Sequence, residues 1–320
     1  MTKPAQMLPI KNSHLYKLSS KTKLATLLGC STQFLHNFRS SSRQYKIFTL
    51  PKPNSKERRQ VEDPKDFIKD IHRRLKNLLS VIEVPNYLKS GIKRKSHIDN
   101  AKTHISANYC VVMDLHGFYR SGRKTFLREM FKTTFKIVDD IAWLLADIAT
   151  IPQKRKDGIE SYFPTGSPFS QIIIFLCYKK TFDDIDAICE THGITFSLYV
   201  DDMTFSSSHK IPKSFEKLIE KRIESVKLKL NVNKTSRYGK NDTKIITGCA
   251  IKDNNIFVKN KKRQDIIDAL QKTDVDAMSI KDIRSTLGKI TSQQQIEPDF
   301  MDCTKRKLLA KLRALKPQHQ

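Results

Sequence analysis

The chain has 320 residues, enough for a sizeable core and two or three subdomains. Its 59 lysines and arginines outnumber 33 aspartates and glutamates, and the resulting formal charge of +26 is spread along the whole length; an extended polyanion is the expected partner, nucleic acid ahead of a membrane surface. The longest apolar run, Ile172 to Cys177, is far too short to span a bilayer and residues 1–10 lack a secretory apolar core, so no membrane association and a cytoplasmic localisation are expected.

From the N-terminus, residues 19–38 read as a short helix, a stop at Gly29, a Ser or Thr N-cap and a second helix. Such a pair serves as a packed helical hairpin or as half of a helix-turn-helix reader of duplex DNA; the first is favoured, because no second helix continues with base-reading polar residues. Tyr45–Leu50 and Arg58–Glu62 flank the turn-rich Pro51-Lys52-Pro53-Asn54-Ser55 and predict a basic hairpin. Its paired Arg58 and Arg59 suit a bidentate grip on a triphosphate or, equally, the guarding of a solvated edge strand. Residues 65–82 then predict an amphipathic helix with Phe67, Ile68, Ile71, Leu75, Leu78 and Leu79 on one side.

Tyr109-Cys110-Val111-Val112-Met113-Asp114-Leu115 is a near-continuous apolar run, as a strand buried on both faces should be, and it delivers one carboxylate at its end. Three Asp pairs follow. Around Asp139-Asp140, residues Phe131, Phe135, Val138, Ile141, Trp143, Leu144 and Leu145 fall at helical spacing, which predicts a helix with an acidic outer edge; Asp183-Asp184 also lies in a helical stretch. Asp201-Asp202 differs. Ile194, Phe196, Leu198 and Val200 alternate with Thr195, Ser197 and Tyr199 as in a half-buried strand, and Met203-Thr204-Phe205-Ser206 resumes the pattern, so this pair is expected at the bend of a tight hairpin. Two like charges at one bend resist ionising together unless a cation is present, and magnesium suits bare carboxylates. Together with Asp114 they have the layout of a two-metal site, in which three carboxylates converge on ions about 4 Å apart.

Six cysteines, at 30, 110, 177, 189, 249 and 303, form no Cys-x-x-Cys and are expected as buried free thiols, with neither a zinc site nor a disulfide framework. Near the C-terminus, Ile266, Ile267 and Leu270, then Leu308, Leu309, Leu312 and Leu315, give helical stripes flanked by Lys and Arg.

Tyr199-Val200-Asp201-Asp202 resembles the Tyr-x-Asp-Asp motif of reverse transcriptases, and Asp114-Leu115-His116-Gly117-Phe118-Tyr119 resembles the strand motif carrying their first catalytic aspartate. Pro164-Thr165-Gly166-Ser167-Pro168-Phe169-Ser170 is similar to the intervening Pro-x-Gly-x-Pro-x-Ser loop, and Asn231-Val232-Asn233-Lys234-Thr235 to the Asn-x-x-Lys-Thr segment. Asn100-Ala101-Lys102-Thr103-His104 and Ile246-Thr247-Gly248 resemble the Asn-Ala-x-x-His and Val-Thr-Gly elements of the bacterial retron branch. Four positions depart from the family pattern: Thr165 stands where Gln is common, Gln171 and Phe175 where Pro and Asn are, and Gly117 replaces a frequent acidic residue.

The resemblance implies an α+β right-hand polymerase fold with an antiparallel palm sheet. Its parts would be an N-terminal helical segment (1–40), fingers (41–108) that include the Asn-Ala-x-x-His segment, a palm (109–258) interleaved with fingers elements at about 120–165, and a basic helical thumb (259–320). It implies an RNA-directed DNA polymerase whose two Mg2+ ions are held by Asp114, Asp201, Asp202 and the Leu115 carbonyl. Arg58, Arg59, Gly166 and Ser167 would bind the incoming dNTP, Tyr119 would exclude a ribose 2′-hydroxyl, and Lys234 would donate a proton to pyrophosphate. Asn100, Ala101, His104, Ile246, Thr247 and Gly248 would recognise the cognate noncoding RNA. The product would be a branched RNA-DNA hybrid, msDNA, made in antiphage defence with a retron effector protein. The competing expectation is a noncatalytic RNA-binding scaffold with a relic acidic site.

Overall fold

The computed structural model describes residues 7–51, 57–155, 158–271 and 277–315; the expected turn residues Lys52–Ser55 and residues 1–6 lie outside them. The chain begins with helices α1 (Lys21–Leu28) and α2 (Thr32–Asn37), strands β1 (Tyr45–Pro51) and β2 (Arg58–Pro64), and helices α3 (Asp66–Leu79) and α4 (His97–Lys102). Next come β3 (Tyr109–Asp114), α5 (Phe118–Ser121), α6 (Lys124–Thr133), α7 (Asp139–Ala149), β4 (Ile151–Arg155), β5 (Gly158–Tyr162) and the long α8 (Ser170–Thr191). After these stand β6 (Thr195–Tyr199), β7 (Asp202–Ser207), α9 (Lys213–Glu224) and β8 (Ser236–Tyr238). The chain closes with β9 (Lys244–Ile246), β10 (Cys249–Lys252), β11 (Asn255–Val258), α10 (Asn260–Gln271), α11 (Ile280–Gln294) and α12 (Asp302–Ala314). One sheet has the strand order β6-β7-β3-β8, another β11-β10-β9, and β1-β2 and β4-β5 form antiparallel ribbons. This mixture of helices and antiparallel strands is the α+β class expected. No helix among the described residues is long and apolar enough to cross a membrane.

Two compact units divide the chain: residues 1–95, 113–203 and 212–235 form the first, and residues 96–112, 204–211 and 236–320 the second. In the first, the helical hairpin is set by its caps. Ser20 and Ser31 accept hydrogen bonds from the Lys23 and Phe34 amides, and Gly29 closes α1 at φ +64°, a conformation that costs a side chain dearly. The β1/β2 ribbon runs in register from Tyr45 opposite Pro64 to Pro51 opposite Arg58. Helix α3 buries Ile68, Ile71, His72, Leu75 and Leu79. Phe67 was expected on that face but is exposed, with its ring against Phe34. Residues Ile172 to Leu176 of α8 are buried without a break, which is why the sequence there shows one apolar run and no stripe.

Two further expectations are corrected. The helical spacing across 131–145 belongs to two helices, α6 and α7, because Lys136 takes a positive φ of 56° and the chain turns there. Strand β6 is more buried than expected: Ser197 on its polar face is as inaccessible as Phe196 and Leu198, while Thr195 on that face is exposed and Tyr199 partly so. All six cysteines are free; Cys110, Cys189 and Cys249 are buried, but Cys303 is exposed.

Among the described residues, the second unit has two apolar clusters. One joins Ile98, Ala101, Cys110, Ile246, Cys249 and Ile251; the other joins Val258, Ile266, Met278, Ile283, Leu287, Ile290, Phe300 and Leu308, with Leu270, Leu309 and Leu312 packed against it. Of the stripes read near the C-terminus, Ile266, Leu270, Leu308, Leu309 and Leu312 belong to this core, whereas Leu315 is exposed. At about 1.5–3 kcal/mol per fully buried large apolar side chain, such clusters outweigh the local propensities of these short helices.

Candidate active site

Asp114 ends β3, Asp201 lies in the two-residue connection between β6 and β7, and Asp202 opens β7. The connection is tight because Val200 adopts φ +59°, which a β-branched residue accepts only when its surroundings hold it. The Ser90 hydroxyl supplies part of that hold by accepting the Val200 amide at 2.7 Å. Backbone bonds then bring the acids together: Leu115 N donates to Asp201 O at 2.8 Å, and Asn231 N donates to Asp114 O at 2.7 Å. The second bond also delivers Lys234, on the short 3-10 turn Val232–Lys234, whose ammonium lies 2.8 Å from Asp114 Oδ1.

Burial and mutual repulsion act on these carboxylates. Asp202 is pushed up to about 7, first by burial, then by Asp201 and Asp114, with Lys234 opposing. Asp201 is raised by burial and then by Asp114, while its own backbone hydrogen bond and Lys234 pull it down. The Lys234 ammonium is raised, mainly by its hydrogen bond to Asp114. The three acids thus share one electrostatic neighbourhood. Their side chains do not form a ready ligand set, since among the described residues no three His, Cys, Asp or Glu side chains are grouped closely enough to hold a metal. Lys234 pairs with one oxygen of Asp114, and Asp201 and Asp114 both raise the Asp202 carboxyl. As a donor set they fit a divalent cation, because oxygen-only ligands held together against their repulsion gain most from a positive ion.

Around the acids, Tyr119 on α5 is half-buried, and its phenol is raised by burial and by Asp201, which places it within the field of the site. Arg58 folds back on its own ribbon, donating through Nε to Thr49 Oγ1 at 2.9 Å and through a terminal nitrogen to Thr49 O at 3.0 Å; Arg59 is exposed. Gly166 N donates to Glu62 O at 3.1 Å, and a Cβ at this glycine would come within 2.7 Å of that oxygen. The Ser167 hydroxyl is buried against His72 Nδ1 at 2.8 Å, so it anchors the loop 164–170 and is not turned to a ligand.

Within the second unit, Asn100, Ala101 and His104, expected to recognise RNA, are buried. Asn100 Nδ2 reaches Thr247 Oγ1 at 3.5 Å, Thr247 Oγ1 donates to His97 O at 2.8 Å, and His104 Nδ1 meets Ser206 Oγ at 2.7 Å. Helix α4 thus contacts the turn at 246–248 through Asn100 and His97, and there Thr247 and Gly248 both take positive φ and Gly248 is exposed. Ile246 is buried in the adjacent core.

Sequence reading missed Ser90, His72 and Glu62. His72 had a signal, a polar residue at helical spacing within the apolar stripe of α3; Ser90 and Glu62 had none.

Residues 50–275 match the family model described as Reverse transcriptase (RNA-dependent DNA polymerase). Among curated proteins, the Retron Se72 reverse transcriptase of Salmonella heidelberg is 24% identical over 68% of this chain and 57% of its own length. The Retron Ec83 reverse transcriptase of Escherichia coli is 25% identical over 82% of this chain and 86% of its own. For the Retron Ec86 reverse transcriptase, also of Escherichia coli, the identity is 23%, over 81% and 77%.

Proposed function

The chain belongs to the reverse transcriptase (RNA-dependent DNA polymerase) family, and from that premise we propose that it is the polymerase of a retron, copying part of its own structured noncoding RNA into DNA. The observation that carries this reading is the convergence of Asp114, Asp201, Asp202 and Lys234 in one electrostatic site. The similarity to several retron enzymes supports the retron assignment. Membership in the family carries the right-hand polymerase fold, and fingers, palm and thumb are assigned to 41–108, 109–258 and 259–320.

The family depends on divalent metal, and we assign two Mg2+ ions to Asp114, Asp201, Asp202 and the Leu115 carbonyl. When bound, such ions lower the pKa of an attacking hydroxyl and stabilise a departing pyrophosphate. The chain's own residues position and neutralise. Asp114, Asp201 and Asp202 supply the negative field, Arg59 draws the triphosphate, and Lys234 holds a proton beside Asp114 for the leaving group. Tyr119, in the field of Asp201, narrows the space for a ribose 2′-hydroxyl. The basic sides of the C-terminal helices track the RNA backbone, and Thr247 and Gly248 contribute to recognition of the cognate RNA. In this reading DNA synthesis starts from a 2′-hydroxyl of an internal guanosine, yields msDNA, and serves antiphage defence together with an effector protein.

The test is to incubate purified protein with its cognate RNA, labelled dNTPs and Mg2+. Labelled DNA is expected from the wild type and none from Asp201→Asn/Asp202→Asn. Equal signal from both overturns the reading, and RNA binding with no DNA from either protein supports a noncatalytic scaffold.

A further inference from the structure

Glu62 is a carboxylate with no exposed surface on a ribbon that is otherwise mostly solvated. An isolated buried charge is costly, so its partners must compensate it. Arg120 of α5 reaches Glu62 Oε1 at 2.5 Å while its guanidinium lies 4.1 Å from the centre of the Tyr162 ring, and the Tyr162 hydroxyl donates to the same oxygen at 3.4 Å. The other carboxylate oxygen accepts from the Thr165 amide at 3.2 Å and from the Thr165 hydroxyl at 2.9 Å. The Glu62 backbone oxygen accepts from Gly166 N at 3.1 Å.

Three segments far apart in sequence are joined at this one side chain. They are the β2 strand that carries Arg59, the short α5 helix in which Tyr119 precedes Arg120, and the loop holding Thr165 and Gly166. Each contributes a residue assigned above to the incoming nucleotide. We propose that Glu62 is a positioning residue for that nucleotide: through Arg120 it sets Tyr119, and through Thr165 it sets the loop glycine, so that affinity and sugar discrimination depend on a group that never touches substrate. This rests on the polymerase reading. It also accounts for Thr165 where related enzymes commonly carry Gln, because its hydroxyl is committed inward to Glu62. A displacement of about 1 Å in such a support is enough to cost reaction rate far from the altered atom.

Two variants test this by different routes. Glu62→Gln removes the charge that holds Arg120, and Thr165→Val removes one hydroxyl from an exposed residue whose loss should not unfold the chain. With a primed RNA template and Mg2+, both are expected to raise KM for dNTP by about tenfold, to change kcat less than KM, and to narrow the preference for dNTP over rNTP. Amide exchange at Gly166 and Thr165 is expected to quicken in Glu62→Gln, a readout that needs no activity. Unchanged KM and unchanged sugar preference in an active, folded Thr165→Val overturn the proposal. Absence of DNA synthesis in the wild type overturns the polymerase reading instead, and the exchange measurement then still tests the structural tie.

Discussion

His72 makes a prediction that can be worked through quantitatively. Its ring is fully buried on α3, with Nε2 at 2.9 Å from Ile148 O, Nδ1 at 2.8 Å from Ser167 Oγ, and its edge against the Phe169 ring at 4.4 Å between centroids. The Ile148 carbonyl can only accept, so Nε2 carries the proton and Nδ1 accepts from the Ser167 hydroxyl: the neutral tautomer satisfies both partners. Burial pushes the imidazole down from 6.5 to about 4, against the smaller upward pull of the Ile148 carbonyl. Between those two values the unfolded chain binds a proton that the folded chain refuses, so stability falls as pH is lowered through this window and is unaffected above it. At about 1.36 kcal/mol per unit, the full gap amounts to about 3 kcal/mol below pH 4, of which about 2 kcal/mol is already lost at pH 5. Asp201 and Asp202 act in the opposite direction, because their carboxyls are raised on folding and their penalty is relieved as pH falls. That contribution is common to wild type and variant and cancels in the difference. Urea unfolding of wild type and His72→Gln at pH 7.5 and pH 5 isolates the imidazole. The variant should be the less stable at pH 7.5, and the gap should close by about 2 kcal/mol at pH 5. Parallel pH dependences would refute a neutral buried imidazole.

Lys234→Met removes the ammonium that opposes the rise of Asp201 and Asp202. The acid limb of the pH–rate profile should therefore move to higher pH, with little change in melting temperature because the lysine is mostly exposed; superimposable limbs would dismiss its electrostatic role. Gly29→Ala forces a Cβ into the left-handed region beside the end of the Arg74 side chain, which can move away, so a loss of about 1–2 kcal/mol in chemical unfolding is expected from the backbone alone. Gly29→Asn should lose less, and equal stability of glycine and alanine proteins would contradict the cap assignment.

What the sequence disclosed follows from what periodicity can encode. The hairpin around Asp201-Asp202 and the strand ending at Asp114 were legible because each element carries its own local signature, apolar alternation or an apolar run beside a carboxylate. The stop of α1 and the N-cap of α2 were legible for the same reason, since Gly29 and Ser31 act on amides or carbonyls a few residues away. Chain turns within helical spacing were not: Lys136 reverses the path between α6 and α7 while the residues on either side keep spacings of three and four. Neither were the buried polar partners. Ser197 looked like the wet face of a strand, and nothing marked Asn100 and His104 as buried, because a polar side chain in a linear sequence does not say whether water or another side chain satisfies it.

The polar groups that escaped sequence reading are the ones that hold the site in place. Ser90 steadies the left-handed Val200, His72 fixes Ser167, and Glu62 binds the loop to the ribbon, each by hydrogen bonds across a long sequence separation. Burial and mutual repulsion raise Asp201 and Asp202, so bringing the carboxylates together disfavours their ionised forms. A site that relieved this repulsion internally, by pairing every acid with a lysine or by exposing it to water, would attract a cation less. Lys234 meets one oxygen of one carboxylate and leaves the remaining negative field unbalanced, which is the condition under which a divalent ion binds most favourably and returns stability to the fold.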